Sequence, residues 1–230
     1  KLAIELSPRG FSVGSDGVIL ILLSEVADAK MRIFNADGSE GEMCGNGIRC
    51  VGKYIYDNGI AKKPAVTIET LSGIKTLELQ IENGVCVGAA VDMGKAILEC
   101  AKIPVRLPME TAIAVPQTFR GIQYLITCVS MGNPHCVVFR DEISSIDLAN
   151  TGRIFETCHL FPDSVNTEFV KPVGKNEIAM RVWERGSGET LACGTGACAA
   201  AVAAVLNGIC EKGKDITVHL RGGDLTINYT

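Results

Sequence analysis

The chain has 230 residues, of which 47% are hydrophobic and 21% are charged, and this balance excludes a wholly disordered protein. Its net charge is −4 and its basic residues are scattered, which argues against a nucleic-acid partner. No apolar run approaches the length needed to span a bilayer, so we expect no membrane partner either.

Ten cysteines are many for a chain of this length. They do not suggest a disulfide framework, because such frameworks staple small chains that are poor in core residues. We expect most of them to be buried small hydrophobic residues in a reducing cytoplasm, namely Cys86, Cys100, Cys128, Cys158 and Cys210.

The first 60 residues predict strands followed by a helix. The apolar run at 17 to 23 has the length of a strand, and residues 30 to 35 alternate as a strand does. A polar, Gly-rich loop follows. Beyond Cys44, the residues Ile48, Val51 and Ile55 fall at helical spacing, and Asn58-Gly59 marks the end of the helix.

The remainder of the chain predicts mostly short strands. Residues 65 to 94 suggest a three-stranded meander, and residues 123 to 139 suggest two strands joined by a tight turn. Hairpins are predicted around 174 to 176 and at 222 to 223, with a nearly all-apolar helix at 197 to 206 between them. A helix that is apolar on every face must be buried on every face, so we expect strands around it. A poorly patterned, proline-containing segment predicts a domain boundary near residue 116, giving domains 1–116 and 117–230.

An internal repeat relates the two halves. Residues 31 to 50 align without gaps with residues 180 to 199, at an offset of 149, and six of these twenty positions are identical. The identical pairs are Met31/Met180, Arg32/Arg181, Glu40/Glu189, Cys44/Cys193, Gly45/Gly194 and Gly47/Gly196. Each half therefore carries one Cys-Gly-x-Gly sequence at a predicted helix start.

A cysteine at a helix N-terminus lies beside unpaired N–H groups and the positive end of the helix dipole, an environment that stabilises a thiolate. Two such cysteines in related halves suggest two thiols that face each other across a cleft. Such a pair fits the inversion of a stereocentre, in which one group removes a proton from one face and the other returns a proton to the opposite face. That reaction needs no cofactor.

Other functions of these cysteines are weaker candidates. Five residues separate Cys44 from Cys50 and four separate Cys193 from Cys198, so neither pair has the spacing of a structural zinc site, and we expect no metal. A redox pair formed by Cys44 and Cys193 is chemically plausible. We expect Cys50 and Cys198 to pack within their helices.

Four blocks of the sequence occur in order across essentially the whole chain, namely "RIFNADGSEGEMCGNGIRCVGKY", "SMGNPH", "NTEFV" and "VWERGSGETLACGTGACA". These blocks resemble the motifs of the diaminopimelate epimerase family. The resemblance implies an α+β fold of two pseudo-symmetric domains, each with strands wrapped around a central helix. It implies cofactor-independent interconversion of LL- and meso-diaminopimelate, in lysine and peptidoglycan precursor biosynthesis. Family members are often dimers, so a homodimer is a candidate assembly.

The resemblance also assigns residues to roles. Cys44 and Cys193 would be the catalytic acid and base. The reacting carboxylate would bind to backbone N–H groups of Gly45, Asn46, Gly194 and Thr195. Further substrate contacts would come from Asn35, Asn133 and Asn166, and from Glu184 and Arg185 at the distal end of the substrate. His135 and Glu184 would tune the two thiols.

The alternative within the superfamily is a proline or hydroxyproline racemase, which also uses two cysteines, but its first motif is expected to contain Cys-Gly-His. The alternative from another class is a thiol redox protein.

Compared with the family pattern, segments are missing at both ends: the counterpart of Asn133 would precede residue 1, and Thr230 corresponds to Ile81. We therefore expect the sequence to be truncated at both ends. Gly17, the counterpart of Asn166, offers no side chain to a substrate.

Overall fold

The computed structural model describes residues 1 to 230, which divide into an N-terminal unit, Lys1–Met93, and a C-terminal unit, Gly94–Thr230. Each unit consists of one curled sheet and a small number of helices. The predicted α+β class is therefore confirmed. None of the helices is both long enough and apolar enough to cross a membrane.

The N-terminal unit contains a six-stranded sheet in the order β1-β2-β4-β5-β6, with the short β3 paired to β2. β2 and β4 are parallel, and the other neighbours are antiparallel. The elements are α1 (Leu2–Leu6), β1 (Gly17–Leu22), β2 (Ala29–Asn35), β3 (Glu40–Gly41), α2 (Gly45–Asp57), β4 (Ala65–Thr70), β5 (Gly73–Glu82) and β6 (Val85–Val91).

Helix α2 packs one face against the sheet of the N-terminal unit. Its buried stripe consists of Ile48, Val51 and Ile55, which are at most 2% exposed and lie in one core with residues of β2, β4 and β5. Burying each of these aliphatic side chains stabilises the fold by about 1.5–3 kcal/mol. The helix ends at Asp57, and Asn58 caps it, as the sequence predicts.

The C-terminal unit contains an eight-stranded sheet in the order β14-β13-β11-β10-β9-β8-β7, with β12 paired to β11. β9 and β10 are parallel, as are β11 and β13. The elements are β7 (Val115–Phe119), β8 (Ile122–Ser130), β9 (Pro134–Phe139), α3 (Leu148–Glu156), β10 (Asn166–Gly174), β11 (Glu177–Glu184), β12 (Gly188–Thr190), α4 (Gly194–Leu206), β13 (Asp215–Leu220) and β14 (Gly223–Asn228).

Helix α4 forms the centre of the C-terminal unit. Apart from Thr195, every residue from Gly194 to Ala204 is buried. Six strands contact the helix, namely β8, β9, β10, β11, β13 and β14. The expected central helix surrounded by strands is confirmed here, and its Ala-rich surface allows the strands to approach closely.

The C-terminal unit has a second core that includes the segment before β7. Phe155 of α3 packs against Phe119, with ring centroids 4.2 Å apart, and the same core contains Cys100 and Ile103. Ile97 also forms a β-bridge with Ser130 of β8. The division therefore falls at Met93 rather than near residue 116, because the proline-containing segment makes its contacts with β8 and α3.

The sequence repeat is also a repeat of topology. β2, β3, α2, β4 and β5 correspond to β11, β12, α4, β13 and β14, with the same parallel and antiparallel pairings. Both helices start and end at an offset of 149 residues.

The predicted meander and hairpins are present, while α3, β7 and the short strands β3 and β12 were not predicted. Cys50 was predicted to pack, and this is wrong, because it is exposed on α2.

Candidate active site

Cys44 caps the N-terminus of α2 in the N-terminal unit. Its backbone is extended, and its Sγ accepts a hydrogen bond from the N–H of Gly47 at 3.3 Å. This bond satisfies one of the donors that a helix leaves open at its start. The half-buried sulfur therefore lies directly at the positive end of α2, as the sequence predicts.

The residues after Cys44 are held by a side chain one turn further along α2. Arg49 donates from Nη1 to the carbonyl of Gly45 at 3.0 Å and from Nη2 to Oδ1 of Asn46 at 2.9 Å. A Cβ at Gly47 would lie 2.5 Å from Cδ1 of Ile19, so the end of that side chain would have to move. Asn35 lies at the exposed end of β2, where its Nδ2 donates to Oγ of Ser39 at 3.0 Å.

Cys193 caps α4 in the same way in the C-terminal unit. Its Sγ accepts from the N–H of Gly196 at 3.3 Å and lies 3.4 Å from Oγ1 of Thr195. Unlike Cys44, Cys193 is buried, with 6% of its surface exposed. Both predicted cysteines thus begin a helix, but their surroundings differ.

The surroundings of Cys193 favour the protonated thiol. Burial raises the pKa of Cys193 well above its usual value, and the negative charges of Glu184 and Glu168 raise it further. The hydrogen bonds from Thr195 and Gly196 act in the opposite direction but are smaller effects. At Cys193, desolvation and the charges of two carboxylates therefore act against the stabilisation of a thiolate that is expected at a helix N-terminus.

Glu184 and Arg185 lie at the end of β11. Glu184 accepts a hydrogen bond from Oγ1 of Thr190 and occupies the place in the repeat that Asn35 has in the N-terminal unit. Arg185 is exposed, and its Nη1 donates to the carbonyl of Asp163 at 2.8 Å. The guanidinium thus lies at the surface of the unit, where its other N–H groups are available to a ligand.

Asn166 connects the predicted residues of the C-terminal unit to one another. It is 4% exposed, its Oδ1 accepts from the N–H of Arg185 at 2.9 Å, and its Nδ2 donates to the carbonyl of Pro134 at 2.9 Å. Pro134 stands between Asn133 and His135. Asn166 therefore fixes the β8–β9 turn relative to the end of β11.

Asn133 and His135 bring the β8–β9 turn next to the start of α4. Nε2 of His135 lies 3.0 Å from Oδ1 of Asn133, whose Nδ2 donates to Oγ1 of Thr195 at 3.3 Å. On its other side, Nδ1 of His135 lies 2.7 Å from Oε1 of Glu168. A continuous set of contacts therefore runs from Glu168 to Cys193.

Glu168 was not among the residues predicted for the site, although it lies in the motif "NTEFV". The repeat held a signal, because the offset of 149 pairs Glu168 with Ile19, which places a charged residue where the other half has an aliphatic one. The repeat also matches Arg32 with Arg181 and Glu40 with Glu189, and none of these residues was assigned a role. Within each unit, the arginine and the glutamate form an ion pair that joins the short strand before the cysteine to the neighbouring strand.

Chemically, each unit offers a sulfur that can exchange a proton beside helix N–H groups that can bind an anion. No group of three or more His, Cys, Asp or Glu side chains is arranged to hold a metal ion.

The sequence model of the diaminopimelate epimerase family matches residues 1–99 and 127–230. The chain is also 52% identical over 235 residues to the diaminopimelate epimerase of Desulfovibrio desulfuricans, which covers 100% of this chain and 81% of that protein. The chain belongs to the diaminopimelate epimerase family. The corresponding protein of Methanococcus maripaludis is 53% identical over 224 residues, covering 97% of this chain and 80% of that protein. The family resemblance seen in the motifs is confirmed, and the chain is an epimerase of the isomerase class.

Solved structures of more distant proteins share the fold of this diaminopimelate epimerase family member. A probable proline racemase from Agrobacterium radiobacter has a TM-score of 0.73 at 18% identity, covering 98% of this chain and 71% of that one. A hydroxyproline epimerase from Agrobacterium vitis has a TM-score of 0.71 at 17% identity, covering 99% and 71%. At such low identity, these likenesses show the fold alone.

Proposed function

We propose that the protein interconverts LL- and meso-diaminopimelate by moving a proton at Cα between two thiols, Cys44 and Cys193. The observation that carries this proposal is the duplicated helix start. At equivalent places in the repeat, two helices each begin directly after a cysteine whose sulfur accepts the N–H three residues later. Membership of the diaminopimelate epimerase family supports the choice of substrate.

The reaction has two proton transfers. One thiolate takes the Cα proton, so that the C–H bond breaks, an S–H bond forms, and the electron pair stays on the substrate. The other thiol then gives its proton to the opposite face of Cα and becomes a thiolate. After one turnover the two sulfurs have exchanged protonation states, which allows the same pair to act in both directions.

The negative charge that develops on the substrate is delocalised into its α-carboxylate. We assign the binding of this carboxylate to backbone N–H groups at the starts of the two helices, from Gly45 and Asn46 and from Gly194 and Thr195. Donors fixed at a helix N-terminus need not reorient as the charge grows, and this lowers the barrier. The proposed mechanism uses no cofactor.

Before substrate binds, Cys193 is assigned the role of the acid. Burial and the charges of Glu184 and Glu168 raise its pKa, which keeps the proton on this sulfur. The half-buried Cys44 then takes the role of the base in the first turnover. In the reverse direction, which starts after the proton has moved, Cys44 is the acid and Cys193 is the base.

The remaining predicted residues are assigned to substrate binding. Arg185, exposed at the end of β11, would pair with the distal carboxylate, and Glu184 would accept from the distal amino group. Asn35, Asn133 and Asn166 would supply further polar contacts. His135 would act on the thiol of Cys193 through Asn133 and Thr195.

We place this activity in lysine and peptidoglycan precursor biosynthesis. Ten cysteines suit a reducing cytoplasm. As an assembly we propose a homodimer, which size-exclusion chromatography with light scattering would distinguish from a monomer by a twofold difference in mass.

The substrate is tested by isotope exchange. The purified protein is incubated in deuterated water with LL-diaminopimelate, meso-diaminopimelate or L-proline, and each amino acid is then analysed by mass spectrometry and chiral chromatography. We expect one deuteron at Cα of diaminopimelate together with inversion, and no label in proline. Label in proline but not in diaminopimelate would contradict the assigned substrate. Label in neither would contradict the epimerase mechanism and favour a thiol redox function.

A further inference from the structure

Glu168 is a buried carboxylate that the mechanism above does not use. Its side chain is completely buried, Oε1 lies 2.7 Å from Nδ1 of His135, and Oε2 has no partner within the protein. Burying a carboxylate with so few partners is unfavourable, so its presence needs a reason. His135 is the only side chain that forms a hydrogen bond with it.

The fold does not require a carboxylate at this place. In the N-terminal unit the equivalent residue is Ile19, which lies beside Gly47 as Glu168 lies beside Gly196. A Cβ at Gly47 would be 2.5 Å from Cδ1 of Ile19, and a Cβ at Gly196 would be 2.7 Å from Oε1 of Glu168. An aliphatic side chain therefore fills the same position in one unit, and the carboxylate of the other unit has a role beyond packing.

The contacts of His135 restrict where its protons lie. If Glu168 is ionised, Nδ1 must carry a hydrogen to donate to it, because a carboxylate only accepts. Nε2 is then free to gain or lose a proton, and this nitrogen lies 3.0 Å from Oδ1 of Asn133. A carboxylate that fixes one ring nitrogen in this way determines which nitrogen titrates.

We infer that Glu168 is a positioning residue that keeps a proton on Nδ1 of His135, so that Nε2 is the nitrogen that gains or loses a proton. Asn133 and Thr195 communicate this change to the sulfur of Cys193 by reversing the direction of their hydrogen bonds. The inference rests on the proposed function only in giving Cys193 an acid/base role.

When Nε2 is protonated, it donates to Oδ1 of Asn133, and Nδ2 of Asn133 donates to Oγ1 of Thr195. These are the atom positions of the structure. The hydroxyl hydrogen of Thr195 is then available to Sγ of Cys193 at 3.4 Å, an arrangement that stabilises a thiolate.

When Nε2 is unprotonated, the amide of Asn133 turns over, so that Nδ2 donates to Nε2 and Oδ1 accepts from Thr195. The Thr195 hydroxyl then has a lone pair for the S–H of Cys193, which stabilises the thiol. No proton passes along the chain: apart from those on Nε2 and Sγ, every hydrogen stays on its own heavy atom.

Two other titratable groups act on this cluster. Burial raises the pKa of Glu168, the contact with His135 lowers it, and the charge of Glu184 raises it further; burial and the same charge raise the pKa of Cys193. Cys136, the neighbour of His135 on β9, has its own pKa raised well above the usual value by burial, and it therefore stays neutral. The competing arrangement is a protonated Glu168 that donates to a bare Nδ1, and the two arrangements differ in which ring nitrogen of His135 carries the hydrogen.

Nuclear magnetic resonance of ¹⁵N-labelled histidine separates these arrangements, because the shift of a ring nitrogen reports whether it is protonated. The chain has three histidines, and a His135→Gln variant identifies the His135 signals. We expect Nδ1 to carry a hydrogen in both the charged and the neutral ring, so that the hydrogen gained or lost is the one on Nε2. A neutral His135 with a bare Nδ1 and a protonated Nε2 would overturn the inference.

The matched variant is Glu168→Ile, which copies the residue of the N-terminal unit. With no acceptor at Nδ1, the neutral ring should keep its hydrogen on Nε2, facing Oδ1 of Asn133. Persistence of the Nδ1–H form in this variant would contradict the role of Glu168. The spectrum of the unmodified protein decides the question even if the variant does not fold.

The link to Cys193 is tested by its rate of alkylation with iodoacetamide as a function of pH, measured by mass spectrometry. We expect an inflection at the pH where Nε2 titrates, in the unmodified protein and in Thr195→Ser, but not in Thr195→Val. The same inflection in Thr195→Val would show that the relay is absent.

In full turnover, Glu168→Ile should lower kcat about 10- to 100-fold with little change in KM. The histidine spectra and the alkylation rates need no substrate, so their results would remain valid even if the proposed epimerase reaction failed.

Discussion

Arg181 and Glu189 form a two-point ion pair between β11 and the short strand that leads to Cys193. Nε and Nη2 of Arg181 donate to the two carboxylate oxygens at 2.9 and 3.1 Å. Nη1 donates to three further carbonyls, those of Ile143, Ser144 and Ile146. In the N-terminal unit, Arg32 and Glu40 form the same ion pair. The repeat therefore preserves the ion pair that fixes the approach to each cysteine.

The two arginines should contribute unequally to stability. Replacing Arg181 by Met removes the ion pair and the donor that Nη1 supplies to three carbonyls, of which that of Ile143 keeps the N–H of Ile146, so we expect the free energy of unfolding to fall by about 2–3 kcal/mol. Arg32→Met is the matched control and should cause a smaller loss, because that pair is more exposed and lies near the surface. Urea denaturation measures both, and equal losses would contradict this account.

Gly152 of α3 should not tolerate alanine. In a helix, Gly→Ala usually stabilises by about 1 kcal/mol. A Cβ at Gly152, however, would run into the indole ring of Trp183, which is held in place by a hydrogen bond from Nε1 to Glu156 at 2.7 Å. We expect a net loss of about 1–3 kcal/mol in denaturation.

Gly52→Ala in α2 is the control for this prediction. There the nearest atom is the end of the Leu77 side chain, which can move. A stabilised Gly152→Ala variant would show that Trp183 shifts aside at little cost.

His219 should make stability depend on pH. Hydrogen bonds to Glu177 and Asp224, at 2.7 and 2.8 Å, raise the pKa of His219 above 6.5. A raised folded-state pKa contributes stability that is fully present below the unfolded value and is lost as pH rises through the folded value. His219→Gln should therefore destabilise the protein more at about pH 5.5 than at about pH 9. The effect is small, because a third of the side chain is exposed. A loss that does not change with pH would contradict the assignment.

The two candidate catalytic thiols should differ in reactivity. Without ligand, we expect iodoacetamide to modify Cys44 faster than Cys193, because Cys193 is buried and its pKa is raised. Glu184→Gln removes one of the charges that raise this pKa and should speed alkylation of Cys193 several-fold. The exposed Cys50 is the internal reference for both measurements. Faster modification of Cys193 than of Cys44 would contradict its assignment as the acid.

Features that depend on local sequence could be predicted. The helix starts at Cys44 and Cys193 follow from the Gly-rich loops and the apolar spacing beyond them, and the helix ends follow from Asn-Gly. The strands and hairpins follow from alternation and turn residues. The repeat supplied the common topology, because two related sequences of this kind fold alike.

Features that depend on distant residues could not be predicted in the same way. The segment after Met93 joins the C-terminal unit through contacts such as Ile97 with Ser130, which leave no periodic signal in the sequence. The raised pKa of Cys193 depends on its burial and on carboxylates from two strands that the fold brings beside α4. Glu168 could have been found in advance, since the repeat sets it against Ile19.

The central claim is that two thiols share one proton transfer, and single substitutions test it most directly. Cys44→Ser, Cys193→Ser and the control Cys50→Ser are assayed for conversion of LL- and meso-diaminopimelate. We predict that each of the first two variants loses at least about 100-fold in kcat with both stereoisomers, because serine is a poor acid and base at neutral pH. Cys50→Ser should keep full activity. Full epimerase activity in either Cys44→Ser or Cys193→Ser would contradict the two-thiol mechanism.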